Sequence, residues 1–180
     1  ANFEQKLIDL GHDDVLDGTV LTATVEVIIE LSANSSDISD LTGIEAFTAL
    51  IYLYANDNQL TSFDVSANTA LTNLQVTDNQ LTSFDVSANT ALTSLNVKNN
   101  QLTSFDVSAN TALTYLEVGI NQLTSFDVSA NTALTGLDVH NNQLTSFDVS
   151  ANTALNQLYV NANPDLTCIY VGDNVIGTTS

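Results

Sequence analysis

Leu60, Leu81, Leu102, Leu123 and Leu144 each open the same string, LTSFDVSANTA, so the chain repeats itself every 21 residues. Blocks opening at Leu71, Leu92, Leu113, Leu134 and Leu155 fill the intervals on a shared LxxLxV skeleton and differ only at chosen positions. A unit this short cannot bury an apolar face by itself. Identical units must stack, each covering the next, and 180 residues then amount to roughly seven coils of a solenoid, worn ones included.

Each unit is itself double. LTSFDVSANTA and LTNLQVTDNQ both follow LxxLxVxxN, which splits the period into halves of 11 and 10 residues. SFDVS alternates apolar and polar side chains, the pattern of a half-buried strand. Phe63 and Val65 are expected to point inward, with Ser62, Asp64 and Ser66 outward; in the second half Leu74 and Val76 point in, and Asn73, Gln75 and Thr77 out. Two short strands per coil follow, joined by asparagine-containing turns. Stacking at ~4.8 Å, the interstrand distance, superposes Phe63, Phe84, Phe105, Phe126 and Phe147 in one ladder. Asn68, Asn89, Asn110, Asn131 and Asn152 form a second ladder, and Asn58, Asn79, Asn100, Asn121, Asn142 and Asn163 a third. An amide both donates and accepts, so these asparagines are expected to leave no buried polar group unpaired.

The LxxLxVxxNxL consensus resembles the leucine-rich repeat. Its nesting of two half-repeats resembles the short IRREKO-type subclass of bacterial surface and secreted proteins, over roughly residues 38 to 174. The fold class implied is a leucine-rich repeat solenoid of β-rich coils with an N-terminal cap helix. The domain reading is 1–37 as N-terminal cap and lead-in, 38–174 as the solenoid, and 175–180 as a C-terminal tail whose cap is missing. The chain departs from those repeats in carrying phenylalanine before Asp, and valine at inner positions where relatives often have cysteine. The resemblance also implies that relatives continue beyond this point, with a second cysteine pairing with the one that matches Cys168.

At the N-terminus, Phe3, Leu7, Ile8 and Leu10 lie at helical spacing, with Asn2 as N-cap and Gly11 as stop signal. The stretch from Gly11 to Asn34 is expected to lead into the first coil as extended, β-branched chain. His12, Asp13, Asp14 and Asp17 only faintly match a calcium loop, since Val15 stands where a carboxylate is needed.

Charge narrows the partners. The formal net charge is −19, with Lys6 and Lys98 the only basic side chains, so phosphate backbones and acidic membrane surfaces are repelled. A basic partner or divalent cations suit such a chain. Cys168, the single cysteine, rules out an internal disulfide and a cysteine-based zinc site. No apolar run approaches the roughly 20 residues of a membrane helix, and no leader segment opens the chain, so membrane insertion is not expected and compartment is not read from targeting.

Binding candidates emerge from differences between coils. The outward face of the first half is Ser, Asp, Ser in every complete copy. The outward face of the second half varies in three columns: Tyr52, Asn73, Ser94, Tyr115, Gly136, Gln157; then Tyr54, Gln75, Asn96, Glu117, Asp138, Tyr159; then Asn56, Thr77, Lys98, Gly119, His140, Asn161. Neutral drift and recognition both produce such columns. Recognition is the preferred reading, because repeat proteins bind along an extended face. The ligand-binding candidates are Tyr52, Tyr54, Lys98, Tyr115, Glu117, Asp138, His140 and Tyr159, with Glu117 and Asp138 as column neighbours ~5 Å apart. An open face without a water-excluding cleft argues against catalysis, and the chain is not expected to be an enzyme or to carry a cofactor. Ladder-wide calcium on Asp64, Asp85, Asp106, Asp127 and Asp148 is the minor cation reading.

The functional expectation is an extracellular or bacterial cell-surface recognition and adhesion module for a protein or glycan. The alternative is a subunit that self-associates end to end into a filament or layer; a calcium-dependent scaffold and ice binding by the threonine rows are minor readings.

Overall fold

A strand of the main sheet is three residues long, a single inward leucine between two outward positions. The computed structural model describes residues 2–20, 22–172 and 174–177. Strands β1 (Glu30–Ser32), β2 (Tyr52–Tyr54), β3 (Asn73–Gln75), β4 (Ser94–Asn96), β5 (Tyr115–Glu117) and β6 (Gly136–Asp138) are followed by β7 (Ser146–Asp148) and β8 (Gln157–Tyr159). A seven-stranded parallel sheet runs in the order β1-β2-β3-β4-β5-β6-β8. From β2 onward every strand pairs with the residue 21 positions later, Leu53 on Leu74, Leu95 on Leu116 and Leu137 on Leu158. Coils therefore stack in the register that the repeat demands, and the solenoid is borne out. Leu74, Val76, Leu95, Val97, Leu116 and Val118 have no exposed surface. Such burial contributes about 2 kcal/mol per side chain.

The second expected strand of each coil forms at one place among the described residues. Ser146–Asp148 pairs in parallel with β9 (Cys168–Val171), which turns back on β10 (Asn174–Gly177). The four earlier SFD segments adopt no strand. On this side the rings of Phe84 and Phe105 stand 6.5 Å apart, and those of Phe105 and Phe126 6.4 Å, both pairs within 9° of parallel, and no backbone ladder joins the four segments.

Asparagine side chains link the coils on this side. Asn89 Nδ2 donates to the Val65 and Asn68 carbonyls at 3.0 and 2.9 Å, and Asn110 Nδ2 to those of Val86 and Asn89 at 2.9 Å each. The expectation of complete pairing fails here. The Oδ1 atoms of Asn68, Asn89, Asn110, Asn131 and Asn152 are buried without a partner among the described residues. The reason is local: the N–H groups of Asn89 and Leu92 already close turns within their own coil, onto Val86 O and Asn89 O. The other asparagine ladder is fully engaged. Asn100 Nδ2 reaches the carbonyls of Val76, Val97 and Lys98, and its Oδ1 accepts from Leu81 N–H at 3.0 Å.

Helix α1 (Asn2–Asp9) covers the first coil, burying Phe3 and Leu7 and setting Phe3 against Phe47. Gly11, at φ 76°, ends it in the left-handed conformation open to glycine. Asn2 lies within the helix and donates to the Asp37 carbonyl at 2.7 Å. The lead-in is not extended throughout: Thr22–Val25 forms one helical turn that delivers Val25 to the core.

Candidate functional site

Left-handed backbone shapes the rim of the strand face. One residue per coil just after the strand takes positive φ: Asp57, Asp78, Asn99, Ile120, Asn141 and Ala162. Asparagine and aspartate tolerate this conformation; a β-branched residue is strained in it by about 1–2 kcal/mol. Ile120, at φ 54°, is the misfit. Changing Ile120→Asn should raise the unfolding free energy by about 1 kcal/mol, read as a higher urea midpoint with an unchanged slope; no gain would mean that packing of the isoleucine offsets the strain.

Immediately beside Ile120 lies the most elaborate part of the variable face. Glu117 of β5 and Asp138 of β6 are register partners. The Tyr115 hydroxyl donates to Glu117 Oε1, and Asn96 Nδ2 on β4 donates to Glu117 Oε2 at 2.5 Å. Asp138 Oδ1 accepts from the His140 N–H at 2.9 Å and lies 2.6 Å from His140 Nδ1. Both rings cross onto the neighbouring coil. A Cβ on Gly136 would come within 2.6 Å of Tyr115 Cδ2, and one on Gly119 within 2.6 Å of His140 Cε1. The glycines are therefore seats: Tyr115 leans forward over Gly136 while His140 leans back over Gly119. Hydrogen bonding to Glu117, reinforced by partial burial and by the nearby carboxylates, pushes the Tyr115 phenol up to about 12.

This arrangement unites Tyr115, Glu117, Asp138 and His140, with Tyr159 on the next strand, 56% exposed. Lys98 precedes Gly119 in its column, its N–H held by Asn96 Oδ1 at 3.0 Å. Tyr52 and Tyr54 sit on β2, three strands and about 14 Å from β5, outside the cluster. Asn96 and Ile120 belong with the site but were not among the sequence candidates. Asn96 looks like any polar member of its column, and the strain on Ile120 shows only in its φ.

The aspartate ladder behaves differently. Asp64, Asp85, Asp106, Asp127 and Asp148 are exposed, and each accepts through Oδ1 from the amide of the serine two residues on, at 2.7–2.8 Å. That amide, with the serine hydroxyl, holds the carboxyls of Asp64, Asp85 and Asp106 below the usual range. Among the described residues no three His, Cys, Asp or Glu side chains converge to hold a metal ion, and no helix is long and apolar enough to cross a membrane.

No protein-family model matches the chain, and neither does any curated protein. Solved structures do match. The functional domain of InlJ from Listeria monocytogenes, described as including a cysteine ladder, is similar at a TM-score of 0.74 and 34% identity over 92% of this chain and 44% of that one. A leucine-rich repeat protein of Leptospira interrogans gives 0.72 at 18% identity, covering 83% and 44%, and the leucine-rich repeat domain of APL1B gives 0.63 at 23%, covering 83% and 51%. The last two show the fold alone, and the chain spans only about half the length of each, or less. Coil spacing, parallel register and these likenesses converge on one architecture: the chain folds as a leucine-rich repeat solenoid.

Proposed function

We propose that this solenoid is a non-catalytic recognition module that binds a protein or glycan partner through the β4–β6 region of its strand face, outside the cell or on a bacterial cell surface. The interlocking of Tyr115 with Gly136 and of His140 with Gly119 carries the reading. Fold maintenance does not require it, since coils with Asn73 and Ser94 or with Thr77 and Lys98 at these positions pair in the same register. Two glycines give up side-chain contacts so that two rings lie flat and an aromatic surface, 40% exposed at Tyr115, stands beside paired carboxylates. Tyrosine combines contact area with a hydrogen bond and is a frequent anchor of binding hot spots. Pre-organised rings lower the ordering cost of association. The similarity to other leucine-rich repeat proteins supports a protein partner, and the resemblance of the repeat to those of bacterial surface and secreted proteins supports the location.

Parallel screens on a glycan array and on a panel of purified extracellular proteins test the proposal. A partner captured by the wild type should bind the Glu117→Lys/Asp138→Lys variant at least about tenfold more weakly, while Asp64→Asn binds as wild type. Equal binding by the charge-reversed variant removes this face from consideration.

A further inference from the structure

The first-half face is constant where the strand face varies, and its geometry is that of a ruler. Phe84 and Phe105 are partly buried rings and Phe126 a buried one, at steps of 6.5 and 6.4 Å. Phe63 tilts out of the series, at 4.7 Å and 31° from Phe84, so the regular stretch begins at Phe84. Between Phe84 and Phe105 lies a groove of about 380 Å³, and between Phe105 and Phe126 one of about 500 Å³. Asp85, Asp106 and Asp127 stand along these grooves, each with Oδ1 held by a serine amide.

We propose that these aromatic-floored grooves dock an extended basic segment of a partner protein, running along the solenoid axis with lysine or arginine at alternate positions. Three observations select this occupant. An extended chain repeats every second side chain at ~6.6–6.8 Å, close to the 6.4–6.5 Å spacing of these rings, so over two steps the mismatch stays below one ångström. The strand face, at ~4.8 Å per coil, offers no such match. Charge then sets the sign: one carboxylate per step on a chain of net charge −19 suits a cation at each alternate position, and a partly exposed ring beside it adds cation–π attraction for the same group. Finally, the face is identical from coil to coil, which suits a repetitive ligand rather than a unique one, with successive contacts acting as linked sites.

The test is fluorescence anisotropy with two labelled synthetic peptides of equal composition, one alternating lysine and threonine, the other with its lysines in a single block. General attraction to an acidic protein treats them alike. The proposal requires the alternating peptide to bind ~10-fold tighter. Asp85→Asn/Asp106→Asn/Asp127→Asn keeps the acceptor oxygens for the serine amides and should abolish the preference, whereas Glu117→Gln/Asp138→Asn on the other face should leave it intact. Equal affinities, or a preference that survives the triple substitution, overturns it. If the triple variant fails to fold, the Phe105 ring protons of the wild type decide: they shift when the alternating peptide is added, or the proposal is wrong.

Discussion

Replacing Asn100 by alanine should cost about 4 kcal/mol of stability, and replacing Asn110 about half as much. Both amides are buried and recur once per coil, yet they do different work. Asn100 donates to three carbonyls and accepts from one N–H across two coils. Its loss removes four bonds and orphans the buried Leu81 N–H, while the carbonyls of Val76, Val97 and Lys98 keep Asn79 Nδ2, Asn121 Nδ2 and the Asp78 N–H. Asn110 donates to two carbonyls, and its Oδ1 has no partner among the described residues. Each of those carbonyls also accepts a turn N–H, from Asn89 onto Val86 O and from Leu92 onto Asn89 O, so its removal orphans less. Urea titration of both variants checks the difference. A domain of this size loses about 2–4 °C of melting temperature per kcal/mol, so Asn100→Ala should melt about 8–16 °C lower. Repeat arrays unfold by coil-to-coil propagation, and a defect at the middle of the stack should broaden the transition as well as lower it. Equal costs at the two positions would mean that hydrogen-bond number does not distinguish the ladders.

The repeat made the stack legible because period 21 leaves one arrangement in which Leu74, Leu95 and Leu116 superpose and face inward with the repeat's valines. It also exposed the variable columns, since identical neighbours make any difference visible. What periodicity does not carry is coil-to-coil distance. The SFDVS alternation is a strand pattern, but pairing depends on whether backbones approach to ~4.8 Å, and the four earlier segments form no ladder. Side-chain direction is equally hidden. In sequence Gly119 and Gly136 are only the smallest members of their columns, whereas in the fold each glycine seats a ring from the adjacent coil. Asn2 reads as a cap because of its type and place, yet it lies inside the helix and its Nδ2 donates to the Asp37 carbonyl. The helical turn at Thr22–Val25 overrode the preference of a β-branched stretch for extended chain by placing Val25 in the core, a tertiary gain that local propensity does not contain.

Tyr115 offers a direct reading of the clustered site without any ligand. Its hydroxyl donates to Glu117, and that bond, with partial burial and the neighbouring carboxylates, raises its pKa to about 12. Of the five tyrosines, Tyr170 is also raised, through Cys168, so the ultraviolet phenolate titration of the wild type should show a late component from both. In Glu117→Gln the hydrogen-bonded charge that most opposes ionisation is gone, and Tyr115 should titrate earlier, moving from about 12 towards the ordinary value, while Tyr170 stays late. Gly136→Val should act in the same direction by another route: branched atoms in the seat displace the ring and with it the hydroxyl from Glu117. The linkage sign follows from the direction of the shift. A phenol raised in the folded state holds its proton where the unfolded chain, with an ordinary value near 10, has lost it. Its contribution to stability is therefore complete below pH ~10 and is lost as pH climbs towards 12. Glu117→Gln should accordingly soften the alkaline loss of stability even as it weakens the site at neutral pH. A late phenolate component unchanged by both substitutions would mean that Tyr115 does not lie on Gly136 with its hydroxyl on Glu117. The pre-organised surface on which recognition is proposed to depend would then be absent.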